Sequence, residues 1–164
     1  KEDPNTGKKG WRYVPYVIEP AAGLTRSVLA FLADAYKEEK GVDAAGKEKT
    51  RVVLKLHPRL APIKAAVLPL VKKDGQPERA NQVVQTLRKA GINASYDERQ
   101  SIGKRYSRHD EIGTPYCLTV DEQTLVDGTI TIRDRDTCEQ HRISVDEATL
   151  VVKQRLDEGT LTEN

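Results

Sequence analysis

Two short stretches of the chain hold side chains that could do chemistry together. In VIEPAAGLTR, a glutamate (Glu19), three small residues (Ala21, Ala22, Gly23) and an arginine (Arg26) fall within eight residues. The small residues let a flat ligand approach the backbone. Arg26 opens a helix, where its guanidinium can stack on an aromatic base or meet a phosphate. Glu19 can take a primary ammonium group. In SIGKRYSRHDEIGTPY, Lys104, Arg105, Tyr106, Arg108 and His109 sit within six residues, followed by Asp110 and Glu111. Such cations supply phosphate contacts, Tyr106 offers a stacking face, and Glu111 can accept from a cytosine amino group or a guanine edge. Further on, RDRDT alternates charge at a strand end, which puts Arg133 and Arg135 on one face and Asp134 and Asp136 on the other. Acidic side chains in a nucleic-acid site give up bulk attraction and read bases instead. Without that chemistry the same stretches are a strand packed on a helix, with Glu19 paired to a lysine and Arg26 exposed, and surface ion pairs worth little each.

The remaining reactive residue types point elsewhere. His57, in LHPRLAP, has no carboxylate or thiol close in sequence and reads as structural. Cys117 falls mid-strand as an apolar filler, and Cys138 follows RDRDT in an exposed setting. Neither belongs to a C-x-x-C pair, which argues against a zinc site or a disulfide framework and fits a reducing cytosol.

The elements that must position these residues follow from periodicity. WRYVPYVIEP is rich in β-formers and predicts a strand over residues 13–18, ended by Pro20. GLTRSVLAFLADAYKEEKG predicts a helix, with Leu29, Leu32, Ala33 and Tyr36 at helical spacing and Gly41 as its stop. GVDAAGKEKT is small and polar and reads as a linker. Beyond it, RVVLKL, IKAAVLPL, INASYD, PYCLTVD and TITIRDR predict strands, with EQHRISV the hairpin partner of the last. ERANQVVQTLRKAG predicts a helix with Gly91 at C′, and SIGKRYSRHDEIG a short one with Ser101 as N-cap and Gly113 beyond its end. Asp146 is expected to cap a closing helix through Leu156. Strands alternating with helices before a C-terminal hairpin indicate an α/β domain with a mixed sheet flanked by helices.

Composition bounds the function. The chain has 164 residues, one domain's worth with room for an appendage. Lys+Arg 27 against Asp+Glu 25 gives a net charge of +2, which excludes a strongly basic polyanion binder. Residues 51–100 nevertheless carry ten Lys/Arg against four Asp/Glu, so a polyanion-facing surface should draw on mid-chain. Mean hydropathy is −0.62 and no apolar run is long enough to span a bilayer. The start, KEDPNTGKKGW, lacks the apolar core of a secretory signal. Methionine is absent, even at position 1, so the chain reads as part of something longer.

The wording of these motifs resembles a known family. V-I-E-P-x-x-G-x-x-R followed by an apolar helix is similar to motif 3 of class II aminoacyl-tRNA synthetases, and to the glycyl enzymes in particular. L-H-P-x-L-A-P-x-K, S-I-G-K-R-Y-x-R-x-D-E-I-G-T-P-Y and T-I-R-D-R-D-T, in that order, resemble the anticodon-binding domain of class IIa synthetases. The resemblance runs from about residue 10 to residue 156. It implies a strand–helix remnant of a catalytic domain (residues 1–42), a linker (43–50), an anticodon-binding domain (51–157) and a tail (158–164).

The roles implied are specific. Glu19, Ala21 and Gly23 would lie against glycine, and Gly23, Thr25 and Arg26 against ATP, with Arg26 the catalytic contact through the adenine. Glu111, Arg133, Asp134, Arg135 and Asp136 would meet the anticodon of glycine tRNA, with Tyr106 and Arg105 supporting the loop; Arg135→Ala or Glu111→Ala would weaken that binding without disturbing the fold. Alanine at 21, where many members carry serine, removes a hydrogen bond of roughly 1 kcal/mol, and Thr25 stands where the family is often acidic. The parent enzyme is expected to be a cytoplasmic homodimer using ATP and Mg²⁺, with no membrane or DNA partner and no metal ligand in this portion. The motif 1 and motif 2 that such enzymes need cannot fit in the residues before Tyr13, so this portion alone would not activate glycine. The competing readings are a non-catalytic RNA-binding module or accessory anticodon-domain protein, in which an ATP-stacking arginine has no use, and a class IIa synthetase for another amino acid.

Overall fold

The computed structural model describes residues 2–10, 14–42 and 48–158. Two strands of unbroken apolar residues organise the larger part. β3 (Ala65–Pro69) and β5 (Tyr116–Val120) are buried at every position, as strands covered on both faces must be. With β4 (Ala94–Tyr96), β6 (Thr129–Asp134) and β7 (Gln140–Ser144) they form a five-stranded sheet in the order β4-β3-β5-β6-β7. β3 runs parallel to both β4 and β5, whereas β5–β6 and β6–β7 are antiparallel. The fold is therefore the mixed α/β sheet that the pattern implied.

Each face of the sheet has its own cover. α2 (Gln76–Lys89) places Ala80, Val83, Val84 and Leu87 against Val67, Leu118, Ile130 and Ile132, and α5 (Ala148–Glu158) adds Ala148 and Val152 to the same core. α3 (Ile102–Glu111) covers the other face through Ile102 and Tyr106 on Ala66, Leu68 and Cys117. The short α4 (Glu122–Asp127) follows β5. Its signal, absent from the sequence reading, is a D-x-x-T capping box: Asp121 accepts from the Thr124 N–H while Thr124 accepts from the Asp121 N–H.

Toward the N-terminus the structure departs from expectation. α1 (Leu24–Ala35) ends five residues before the reach of its polar tail, and Tyr36 turns straight into β1 (Tyr36–Val42), which pairs antiparallel with β2 (Glu48–Leu54). YKEEKG is a good helical sequence, but as a strand it sets Glu39 opposite Arg51, 2.6 Å from that guanidinium and 2.6 Å from Lys55. Residues 48–50, read as linker, begin β2; residues 43–47 of that segment lie outside the described residues. The strand expected at 13–18 is not formed over 14–18: the segment is exposed and makes no ladder, with residue 13 outside the described residues. α5 starts at Ala148, so Asp146 sits in the preceding turn rather than at the cap. Ser101 occupies the α3 N-cap with extended backbone, but its side chain makes no capping bond.

One glycine fixes how α3 meets the hairpin. Gly113 has φ +79°, and a Cβ there would lie 2.9 Å from the Leu54 carbonyl oxygen and 3.3 Å from Leu56 Cδ1. Gly113→Ala combines backbone strain with a clash and should cost roughly 2 kcal/mol or more, lowering the melting temperature by about 4–8 °C. An unchanged melting temperature would show that α3 and β2 are not held at this approach.

Candidate nucleic-acid interface

The polar centre of the molecule is Asp110, in the last turn of α3 and only 2% exposed. A carboxylate at a helix C-terminus is electrostatically misplaced, and here two arginines compensate for it. Arg133 of β6 donates to Oδ1 at 2.9 Å and to Oδ2 at 3.2 Å, and Arg51 of β2 donates to Oδ2 through Nε at 2.9 Å. The Arg133 guanidinium also lies over the Tyr106 ring, 4.8 Å from its centroid, and donates to Cys138 Sγ at 3.2 Å. Tyr106 is fixed in turn by a 2.6 Å hydrogen bond between its hydroxyl and Thr119 Oγ1. Burial opposes the Arg133 charge, but the bonds to Asp110 outweigh it and hold the guanidinium above its ordinary range.

The turn after β6 is built on this centre. Asp134 Oδ1 accepts the N–H groups of Asp136 (2.7 Å) and Thr137 (3.2 Å). Arg135 grips both Asp136 oxygens at 2.8 and 2.7 Å and donates to the Gly113 carbonyl at 2.9 Å, while its own N–H bonds Pro115 O at 2.9 Å. Arg51 closes the arrangement by donating to the Arg135 carbonyl. Because Tyr116 pairs with both Ala65 and Asp134, the turn stands at the edge where the parallel strands begin.

The residues expected to meet RNA divide into two groups. Glu111 is exposed, and Asp134 and Asp136 are half-exposed. Arg133 and Arg135 are buried, at 7% and 2% exposure, with their guanidinium groups committed to internal acceptors. The alternation of RDRD is real, but it sends the cations inward and leaves the carboxylates outward. As folded, these arginines are scaffold rather than projecting contacts, so Arg135→Ala would disturb the fold, contrary to the expectation from sequence. Arg105 is likewise buried and donates to the carbonyls of Pro69 and Gln100. His57 accepts from the Arg59 N–H at 3.2 Å, within a turn.

Two clefts flank the turn. One, of about 460 Å³, is lined by residues 134–137, by Lys55, His57 and Leu60, and by Phe31, Asp34 and Ala35 at the end of α1. The other, of about 330 Å³, lies between Glu39, Arg51, Tyr106, Arg133 and Cys138. Phe31 and Leu60 were not singled out from sequence, since nothing in their spacing ties them to RDRDT, and His57, read there as structural, lines the same cleft. In the first cleft, carboxylate acceptors stand beside an imidazole, an ammonium and an aromatic ring, which suits a nucleobase and its phosphate.

The first motif stands apart. Gly23 is the N-cap of α1, its carbonyl accepting from Ser27 N and Oγ, and Thr25 and Arg26 follow in the first turn. Glu19 and Ala21 lie on the extended segment before it, and all five residues are exposed. Along α1, Arg26 is about 13 Å from Ala35 by helical rise. On the segment before α1, Val14, Tyr16 and Ile18 are exposed, as are Leu24 and Leu29 on α1 itself. No group of three His, Cys, Asp or Glu among the described residues could hold a metal ion. No helix among them is long and apolar enough to cross a membrane. The Cys117 thiol is buried and pushed up to about 12 by that burial, which leaves it inert.

The structure thus holds a mixed α/β sheet with outward carboxylates beside a buried arginine scaffold. Residues 64–155 match the family model described as Anticodon binding domain, and the chain belongs to that family. Its relatives are more specific. It is 53% identical over 149 residues to a glycine--tRNA ligase of Rhodopirellula baltica, covering 91% of this chain and 28% of the relative. To those of Clostridium perfringens and Cutibacterium acnes it is 52% and 54% identical, over 94% and 82% of this chain and 32% and 28% of theirs. The chain thus spans about 30% of the length of these curated relatives.

Two outcomes follow from the buried groups. Arg135→Ala should cost roughly 2–4 kcal/mol, since it strands the Gly113 carbonyl and Asp136, whereas Glu111→Ala should stay within about 0.5 kcal/mol; equal denaturant midpoints for the two would contradict the scaffold role. Stability should also depend on acid in two steps. Burial holds the His109 imidazole below its ordinary pKa, with Nδ1 bonded to Thr114 Oγ1 at 3.1 Å. The unfolded chain therefore binds the proton first, and stability falls as pH drops below about 6.5. Asp121 is held below the usual carboxylate range by Arg142, against the opposing effect of burial. For Asp97, burial pushes up, but the Arg99 N–H and the Arg108 guanidinium outweigh it and hold the carboxyl low. Their contribution is present above about pH 4 and is lost below it. His109→Gln should remove the first step and leave the second; a midpoint flat from pH 7 to 5 in the parent chain would refute the assignment.

Proposed function

We propose that the chain is the anticodon-reading portion of a glycine–tRNA ligase, joined to the strand-and-helix segment that ends the ligase's catalytic domain. The observation that carries this is the outward set of carboxylates at this edge: Asp136 held by Arg135 and Asp134 tied to the backbone of its own turn, both lining the 460 Å³ cleft, with Glu111 exposed at the end of α3. Ionised carboxylates repel phosphate, so their place in an RNA site is to accept from base amino groups. Lys55 and His57 at the rim supply the few phosphate contacts. Arg133 and Arg135 position the carboxylates, and Tyr106 and Arg105 hold the α3 side of the loop. The division proposed is catalytic-domain end at 1–42, connector at 43–50, anticodon-binding domain at 51–157 and tail at 158–164.

In the whole ligase, Arg26 would stack on the ATP adenine beside Gly23 and Thr25, and Glu19 would take the glycine ammonium group near Ala21 and Gly23. The exposed apolar surface around α1 is what such a segment presents when it packs on a larger body. The ligase would form glycyl-adenylate from glycine and ATP and pass glycine to the tRNA, acting as a homodimer in the cytoplasm. Mg²⁺ would serve that step, and no group of three His, Cys, Asp or Glu among the described residues could hold it.

A glycine anticodon stem-loop should bind the chain, and Glu111→Ala or Asp134→Asn should weaken it about tenfold, the equivalent of one base contact, at unchanged melting temperature. The slope of log K against log salt should be shallow, about −2 for roughly three phosphate contacts. Full binding by both variants, or a slope several times steeper, would move the site elsewhere. In the whole ligase, Arg26→Ala should raise the KM for ATP or slow adenylate formation; unchanged ATP kinetics would leave Arg26 a surface residue.

A further inference from the structure

We infer that Arg51, on β2 and outside the residues matched by the family model, is a positioning residue that sets where the 134–137 turn presents its carboxylates. The inference rests on the RNA-reading function proposed above and deepens it. Arg51 sends its N–H groups to three different elements: Nε to Asp110 of α3, one terminal nitrogen to Glu39 of β1 and the other to the Arg135 carbonyl in the turn. Asp110 is already bonded at both oxygens by Arg133, so charge balance alone does not call for a second arginine. What Arg51 adds is its hold on the Arg135 carbonyl, and through it on the peptide carrying the Asp136 N–H. The same side chain lines the 330 Å³ cleft, whereas Arg135, whose carbonyl it holds, lines the 460 Å³ cleft. Arg51 therefore links the linings of the two spaces beside the turn. A lysine cannot replace it, because an ammonium lacks the fork that reaches three acceptors at once.

The consequence is that the β1–β2 hairpin belongs to the recognition surface. Glu39 steadies Arg51 at 2.6 Å and Lys55 at 2.6 Å, so the cleft-lining lysine and the turn-holding arginine share one anchor. Moving Arg51 shifts where the acceptors stand without removing any of them. The signature is then loss of discrimination between anticodons rather than loss of RNA affinity.

The test measures binding of the full chain to a glycine anticodon stem-loop and to the same stem-loop with the second anticodon base changed. The wild-type chain should prefer the glycine sequence. Arg51→Lys and Arg51→Ala should each reduce the preference at least fivefold while the salt slope stays unchanged. Arg142→Lys breaks a two-pronged ion pair with Asp121 at the end of β6 opposite the turn, where Arg142 also bonds Thr129, and should leave the preference within twofold. If Arg51→Ala does not fold, Arg51→Lys, which keeps the charge, decides the matter alone. Wild-type preference retained in Arg51→Lys overturns the positioning role and leaves the RNA-reading proposal standing. No preference in the wild-type chain overturns both.

Discussion

The ion cluster around Asp110 is the constraint on which the rest of the structure depends. It joins three elements: the end of α3, the end of β6 and the β1–β2 hairpin. A buried cluster of this kind adds little net stability over an apolar replacement, yet removing one partner costs about 3–5 kcal/mol. Its effect is therefore geometric. Asp110 fixes Arg133, Arg133 lies on Tyr106, and Arg51 carries the hold into the turn, so a local loop conformation is determined by side chains far apart in sequence.

That arrangement answers a problem set by composition. A chain with a net charge of +2 cannot rely on bulk attraction to a polyanion. On the proposed reading, turning arginines inward and carboxylates outward would trade general affinity for base-edge acceptors, a trade that works only if the carboxylates cannot wander. Asp136 is gripped by Arg135, and Asp134 is tied to the backbone of its own turn. Neither is left with the rotamer freedom that exposed carboxylates normally keep.

Much of this was legible in the sequence because it depends on short-range pattern. The runs AAVLP and YCLTV read as buried strands, Gly91 and Gly113 marked helix ends that do carry positive φ, and the TITIRDR–EQHRISV hairpin formed in register. What stayed hidden depends on distant partners. YKEEKG looks helical until Arg51 and Lys55 stand opposite Glu39. Strand alternation placed Arg133 and Arg135 on one face, but periodicity does not say which face is buried, and Asp110, which settles it for Arg133, lies on another element. Phe31 and Leu60 reach the cleft only through the packing of α1 against the loop after β2.

On the proposed reading, RNA is read at the edge formed by the 134–137 turn and the end of α3. Amide chemical-shift mapping of the isotopically labelled chain, titrated with a glycine anticodon stem-loop, addresses it most directly. The largest shifts are expected at Glu111 and Gly113, at residues 134–137 and at His57, with the outer face of α2 unmoved. Shifts concentrated on Arg79, Gln82 and Thr86 instead, with the turn silent, would contradict it.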